Sequence, residues 1–358
     1  MKTCVLIPAY NEEIVIQYTI NSLLETGFDV ADIYIVDDCS TDATAIIASN
    51  NNVNVCTTPT NGGKAKAQVY GIHFFALCDK YNYVMMVDSD TKVGTDFKDT
   101  MLISMISYPD VDLFVGQVTS SKADNIFSAY RAVEYTFSHD VIKKGQDNFN
   151  VVYVAPGCVS MYSTSILRHL KFDHTILAED MDLTIQVHKL GGRIKYIHNA
   201  KVITQDPKTT KDYHNQLLRW YRGFWQVVNK HFERPSRWVG IDYYILYLIV
   251  DSLIMNRALV LLLSLIMVSN VAIVLGILID FSVFVLVGIY AFHKTGRYDI
   301  LYKLPVMYFL SFFSMYAYIR SFLEVIILRK NNFGWNKVKR YGEQNEEVHL
   351  RTTSPIDT

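Results

Sequence analysis

The residues best suited to chemistry are acidic pairs that follow apolar runs. Asp88–Ser89–Asp90 comes directly after Tyr83–Val87. Two carboxylates at i and i+2, leaving a buried strand, can reach one hard cation together with phosphate oxygens. Mg²⁺ is commonly held in that way, by one or two carboxylates plus the phosphates of a substrate. The plain alternative is a solvated acidic turn. Asp37–Asp38 closes a second apolar run, and Cys39–Ser40–Thr41–Asp42 follows it. One of these carboxylates can accept hydrogen bonds from a base or a ribose, while the Ser-Thr-Asp run caps the next helix. Asn61–Gly62–Gly63–Lys64 lacks the spacing of a P-loop, but it lets a ligand approach the backbone and offers Lys64 to a nucleotide. Glu179–Asp180 opens a periodic segment, where acids suit the positive end of a helix dipole. A carboxylate there can also serve as general base toward an acceptor hydroxyl. Gln216, Arg219 and Trp220 stand at i, i+3 and i+4 and so share a helix face. Arg offers a planar fork to a pyrophosphate, and Trp offers a flat surface to a sugar ring.

These residues need elements to position them. Thr3–Pro8, Ile33–Asp37, Asn52–Cys56 and Tyr83–Asp88 read as strands, with Asp110–Thr119 and Asn150–Val154 as two more. Glu12–Thr26, Thr41–Ser49 (capped by Ser40 or Thr41), Gly63–Cys78, Asn125–Ile142, Ala178–Lys189 and Asp212–Phe232 read as helices. The Ala178–Lys189 helix ends at Gly191–Gly192. Strand and helix alternating at this spacing predict an α/β fold, with a mostly parallel sheet and helices on both faces. Ligands of such sheets sit beyond the carboxyl ends of the strands. That is where Ala9–Tyr10–Asn11–Glu12, Asp38 and Asp88–Asp90 fall.

Composition narrows the class. Of 358 residues, 50% are apolar and 19% charged, and the net charge is −1. Disorder is excluded, and nothing favours a nucleic-acid binder. The five cysteines have no CxxC spacing and all lie before the apolar C-terminal region, which fits a reducing, cytosolic compartment for the N-terminal half. Tyr243–Phe292 holds only Asp251, Arg257 and Asp280 as formal charges and predicts two spans with a turn at Ser264–Asn270. Leu301–Leu328 is a third candidate, in which Arg320 and Glu324 can pair at i, i+4. The basic residues of His293–Lys303 and of Arg329–Arg340 both belong on the cytosolic side. A single ordinary span between them cannot satisfy both, so either Leu301–Leu328 is interfacial or re-entrant, or one basic segment lies outside.

In order and rough spacing, Ile7–Pro8–Ala9–Tyr10–Asn11–Glu12, Val36–Asp37–Asp38–Cys39–Ser40–Thr41–Asp42, Gly63–Lys64–Ala65, Asp88–Ser89–Asp90, Ala178–Glu179–Asp180 and Gln216–Leu217–Leu218–Arg219–Trp220 resemble the inverting family-2 glycosyltransferases. The likeness is to the membrane-embedded synthases of cellulose, chitin, hyaluronan and poly-N-acetylglucosamine, and it covers about residues 3–230. It implies a GT-A fold over residues 1–235, membrane or interfacial helices over 236–330, and a basic-aromatic segment with a polar tail over 331–358. The implied protein is multi-pass, with its catalytic domain in the cytosol. The resemblance also implies a UDP-sugar donor, with UDP-N-acetylglucosamine or a related hexose favoured. It implies Mg²⁺ or Mn²⁺, a growing polysaccharide as acceptor, the bilayer as a partner, and a homo-oligomer or partner subunit.

By the same resemblance, Asp38 contacts uridine with Ala9, Tyr10, Glu12 and Lys64. Asp88 and Ser89 contact the nucleotide sugar, and Asp90 binds the metal with Asp88. Asp180 is the base, beside Glu179. Gln216, Arg219 and Trp220 hold the pyrophosphate and the acceptor-end sugar. Ala178 stands where many processive members have Thr, and the chain opens directly on its first strand. The alternative is therefore transfer of one sugar to a lipid-linked or short glycan.

Overall fold

The computed structural model describes residues 1–121, 125–232 and 270–330 and positions 333, 340 and 341. Strands β1 (Thr3–Ala9), β2 (Ile33–Asp37), β3 (Asn54–Thr57) and β4 (Tyr83–Met86) alternate with helices α1 (Ile16–Glu25), α2 (Thr44–Asn50), α3 (Lys64–Phe74) and α4 (Leu77–Lys80). Then come β5 (Lys92–Val93), α5 (Phe97–Ser107), β6 (Leu113–Ser120), α6 (Ile126–Phe137), a π-helical turn at Ser138–Lys143 and α7 (Lys144–Asn148). They are followed by β7 (Ser160–Ser163), α8 (Thr164–Leu167), α9 (Glu179–Lys189), β8 (Ile194–Thr204) and α10 (Thr210–Phe232). Two apolar helices, α11 (Asn270–Thr295) and α12 (Asp299–Phe322), close the described chain.

The strands form one sheet in the order β3-β2-β1-β4-β7-β6-β8-β5. The β3-β2-β1-β4 half is parallel, as the alternation predicts. Beyond β4 the sheet is mixed: β7 runs antiparallel between β4 and β6, and β8 pairs parallel with β6. Alternate residues of the central strands feed two cores. Val5, Ile7, Ile35 and Met85 pack on Ile16, Ile20 and Leu23 of α1. Leu6, Val36, Val84 and Met86 pack on Ala67 and Ile72 of α3 and on Leu183 and Val187 of α9. Continuous apolar strands are what a sheet covered on both faces requires.

Several boundaries differ from the sequence reading. Asn150–Val154 is not a strand. Its backbone polar groups bond to turn carbonyls and to side chains instead of a ladder: Val151 N donates to the Gln146 carbonyl at 2.8 Å, Lys143 Nζ donates to the Val154 carbonyl at 2.6 Å, and His188 Nε2 meets the Val152 carbonyl at 2.7 Å. The strand there is β7, ten residues later, and β8 also escaped the pattern because charged and polar residues interrupt its apolar ones. The α1 helix begins at Ile16 because Asn11 takes a left-handed φ of 54° and residues 11–15 turn first. Ser40 and Thr41 do not cap α2; the Asp42 carboxylate accepts from Thr44 N at 3.0 Å, and Glu13 accepts from Ala43 N at 3.0 Å. Ala76, at φ 52°, splits the expected long helix after Phe74. The helix after β6 ends at Phe137 and passes into the π turn.

The first expected span, from Tyr243, and the turn at Ser264–Asn270 lie outside the described residues apart from Asn270, as does the tail after Tyr341. The α11 helix and the stretch from Asp299 to Ile327 are long and apolar enough to cross a membrane. The second nevertheless lies along α10, a helix carrying Lys211, Asp212, Arg219, Arg222 and Lys230 and too polar to cross itself. Tyr318 and Phe322 pack on Trp225, and His214 stacks on Tyr316 at 5.8 Å. Both ends of α12 meet the N-terminal domain. At one end Arg297 donates to the Ser121 carbonyl and to Ser128 Oγ. At the other, Glu324 accepts from Arg222 Nε at 2.7 Å and from Arg320 Nε at 3.0 Å, the i, i+4 pair expected from sequence.

Candidate active site

One cavity of about 1590 Å³ opens at the carboxyl ends of β1, β2 and β4. Ala9, Tyr10, Glu12, Asp38, Lys64, Asp88, Ser89, Asp90, Glu179, Asp180, Gln216, Arg219 and Trp220 all line it. Residues from six separate stretches of sequence therefore meet on one surface. Pockets for small ligands usually occupy ~300–1,000 Å³, so this one has room for more than a single small molecule. It runs on past Tyr130, Arg131 and Glu134 to Asp280 and Phe284 of α11 and Ser311 and Ser314 of α12.

On the β2 side, Asp38 builds its own loop. Its oxygens accept from Gly62 N at 3.0 Å, Gly63 N at 2.7 Å and Thr58 Oγ1 at 2.9 Å. This draws the Gly62–Gly63 turn, with Gly63 at φ 83°, against the end of β2 and starts α3 at Lys64. Asp37 points away, buried, with Ser40 N on its Oδ2.

Lys64 binds Asp88 at 2.6 Å and Glu179 at 2.9 Å, tying the end of β4 to the start of α9. Burial works against its charge, but Asp88 and Glu179 outweigh that and hold the ammonium well above its ordinary value. Burial also opposes the Asp88 charge. Lys64 overcomes it, helped by Arg219, and the carboxyl lies below its usual range. Asp90 goes the other way: burial, with the negative charges of Asp88 and Glu12, raises it despite its ion pair with Arg340. Arg340 also donates from Nε to Glu12 at 2.9 Å. Beside it, Tyr341 and Gln205 exchange hydrogen bonds of 2.7 and 3.2 Å. Arg340 thus lies against the acidic wall of the cavity, with Tyr341 anchored beside it.

Asp180 stands at the first turn of α9. Its Oδ2 accepts from Gly157 N at 3.1 Å and its Oδ1 from Met181 N at 2.8 Å. Burial and then the Glu179 charge raise its pKa. A partly protected carboxylate with a raised pKa is suited to taking a proton near neutral pH. Asp182, two residues further on, is fully buried and does not line the cavity. It binds Lys230 at 3.0 Å, His231 at 2.8 Å and Gln186 at 2.8 Å, and so pins α9 to α10.

Asp88 and Asp90 suit a divalent cation by donor type. Among the described residues, no group of three or more His, Cys, Asp or Glu side chains could hold a metal unaided. A cation here would need oxygens from its ligand, as a diphosphate provides.

Sequence reasoning missed Arg131, Glu134, Lys143, Gly157 and Arg340, all on the cavity wall. Arg131 and Glu134 carried a signal, a charge pair at i, i+3 in an otherwise apolar and aromatic helix, and Arg340 was noted only as part of a basic segment. Lys143 sits in the π turn, where burial pushes its ammonium down to about 8.

Residues 4–171 match the family described as glycosyl transferase family 2. The poly-beta-1,6-N-acetyl-D-glucosamine synthase of Staphylococcus epidermidis is 26% identical over 246 residues, and that of Staphylococcus aureus strain COL is 27% identical over the same length. Each alignment covers 67% of this chain, and the chain spans 59% of the length of these relatives. Among solved structures, the mannosyltransferase PcManGT from Pyrobaculum calidifontis, in complex with GDP-Man and Mn²⁺, superimposes with a TM-score of 0.58 at 15% identity, covering 92% of this chain and 88% of that one. S. aureus TarS 1–349 in complex with UDP-GlcNAc superimposes with a TM-score of 0.52 at 16% identity, covering 97% and 100%. The family match falls on the strands and loops that carry Ala9 to Asp90 on the cavity wall, and the chain shares the GT-A-type fold of these transferases.

Proposed function

We propose that this protein transfers a sugar, with inversion, from a UDP-sugar to a growing glycan at a membrane surface, and that the favoured donor is UDP-N-acetylglucosamine. The observation that carries this reading is the convergence of all thirteen candidate residues on one cavity. The family match, the relatives' activity and the UDP-GlcNAc bound by TarS support it.

In this reading Asp38 and the Gly62–Gly63 turn receive the nucleoside, with Tyr10 beside them. Lys64 and Arg219 supply positive charge to the diphosphate. Asp88 and Asp90 would hold Mg²⁺ or Mn²⁺, which when bound offsets charge on the leaving diphosphate. Gln216 and Trp220 receive the terminal sugar of the acceptor. Asp180 takes the proton from the acceptor hydroxyl as its oxygen bonds to the anomeric carbon, while the bond from that carbon to the diphosphate breaks. One displacement of this kind turns an α-linked donor into a β-linked product, without a covalent enzyme intermediate.

A second reading is transfer of one sugar to a lipid-linked acceptor. The apolar part of the cavity beside α11, formed by Val283, Phe284 and Val287, supports it. In both readings the protein is multi-pass and its catalytic domain faces the cytosol. The test is UDP release by the full chain in nanodiscs, across a panel of UDP-sugars with Mn²⁺, followed by mass analysis. A ladder of products supports polymerisation. A single mass increment on lipid supports the second reading. No UDP release with any of these UDP-sugars removes both.

A further inference from the structure

Arg131 is among the largest fully buried side chains of the molecule, and a buried guanidinium is costly unless its neighbours use it. It projects from α6 into the seam between α6 and α10. Its Nη2 donates to Gln216 Oε1 at 2.7 Å and its Nη1 to Glu134 Oε2 at 2.6 Å. Its guanidinium lies over the Trp220 ring at 4.4 Å and over the Tyr213 ring at 4.9 Å. Its Nε has no hydrogen-bond partner among the described residues. Arg131, Gln216 and Trp220 all line the cavity.

Two consequences follow from the chemistry. Arginine only donates, so the Gln216 oxygen is committed to it and the amide NH₂ is turned away from Arg131. Gln216 is therefore fixed as a donor toward whatever it meets next. A planar cation over an aromatic ring also attracts the ring face and limits its tilt. One side chain thereby orients both an amide donor and a flat ring, the two kinds of group that recognise a sugar's hydroxyls and its apolar face.

We infer that Arg131 is a positioning residue that holds Gln216 and Trp220 in the orientation needed to receive the acceptor's terminal sugar. This rests on the acceptor role proposed above for those two residues. Glu134 neutralises the buried charge and completes the clamp. Arg131 itself acts through its neighbours.

The test uses the full chain in nanodiscs, with the donor that supports transfer and a β-linked N-acetylglucosamine oligosaccharide as acceptor. Acceptor KM and UDP affinity are measured separately. In an Arg131→Met/Glu134→Gln pair, which leaves no orphaned carboxylate, acceptor KM is expected to rise roughly tenfold to a hundredfold, the range for losing a hydrogen bond to a charged group, with UDP affinity unchanged. Arg131→Lys should recover part of the loss, since it keeps the charge but not the fork. In a Gln216→Ala background the Arg131 substitution should add little, because coupled residues are not additive.

Equal changes in acceptor KM and UDP affinity would show a residue that merely supports the fold, and would overturn the inference. So would fully additive losses. If the paired variant fails to fold, Arg131→Lys decides: a raised acceptor KM with intact UDP affinity supports the inference, and an unchanged acceptor KM overturns it. If Trp220→Ala and Gln216→Ala leave acceptor KM untouched, the acceptor role itself falls, and this inference with it. If they raise it while Arg131 variants do not, only this inference falls.

Discussion

If Asp180 is the base proposed above, its neighbours set the pH at which transfer declines. Burial and the adjacent Glu179 charge raise its pKa, and only the ionised form accepts a proton. Transfer is therefore expected to decline on the acidic side at a pH above that of an ordinary carboxylate. Glu179→Gln removes a repelling charge and should move that limb of the kcat/KM profile to lower pH. Asp180→Asn should lower transfer by about 10²–10⁴-fold while UDP binding persists; substantial residual transfer would remove Asp180 from this role. Arg340 makes a different prediction. Its guanidinium sits on Glu12 and Asp90, where a cation would bind. Arg340→Ala should tighten Mn²⁺ binding by roughly tenfold, the scale of a charge-assisted contact, as read by manganese electron paramagnetic resonance at low ionic strength. Unchanged or weaker binding would contradict the competition. Glu12, Asp38, Lys64, Asp88, Asp90, Glu179 and Asp180 were legible in the sequence because each follows a strand or opens a helix, where chain direction alone delivers it to one edge of the sheet, and Arg219 was legible from the helix face it shares with Gln216 and Trp220. Arg131 and Arg340 were not, since nothing local shows what a distant cation will face.

At the scale of elements, the site depends on how closely α10 approaches the start of α9. A Cβ added to Gly223 would lie 2.6 Å from both the nitrogen and the Cβ of Ala178, and 3.0 Å from the Leu177 carbonyl carbon. Glycine on one helix and alanine on the other let the Gln216–Trp220 face close on the Glu179–Asp180 turn. Gly223→Ala should cost about 1–3 kcal/mol of stability, a typical overpacking cost, and reduce transfer beyond that loss. Thermal unfolding and kcat at saturating substrate would measure the two; intact turnover would mean that the spacing is not critical. The parallel half of the sheet was readable because its strands are continuous apolar runs. The mixed half was not: β7 and β8 mingle polar residues with apolar ones, while Asn150–Val154 has strand-like composition but no neighbouring edge to pair with.

For the whole molecule, the contacts at the two ends of α12 favour one answer to the question raised by the basic segments. Arg297 docks on Ser121 and Ser128, and Glu324 docks on Arg222. Both ends should therefore face the same side as the catalytic domain. Single cysteines at Lys303 and Lys330 in a cysteine-free chain should both react with an impermeant maleimide only when the cytosolic face is opened. Labelling of the two from opposite sides would show that α12 crosses.

With both ends on that side, a helix lying along its own N-terminal domain, with Tyr302, Val306, Phe309, Phe313 and Tyr316 exposed along one stripe, should float at the surface of the bilayer and not bridge it. Such a float is sensitive to lateral crowding among headgroups and largely blind to the depth of the hydrocarbon beneath. Because Gln216 and Trp220 ride on the helix it packs against, lipids with small, loosely packed headgroups should change turnover in reconstituted vesicles, while longer or shorter acyl chains leave it nearly constant.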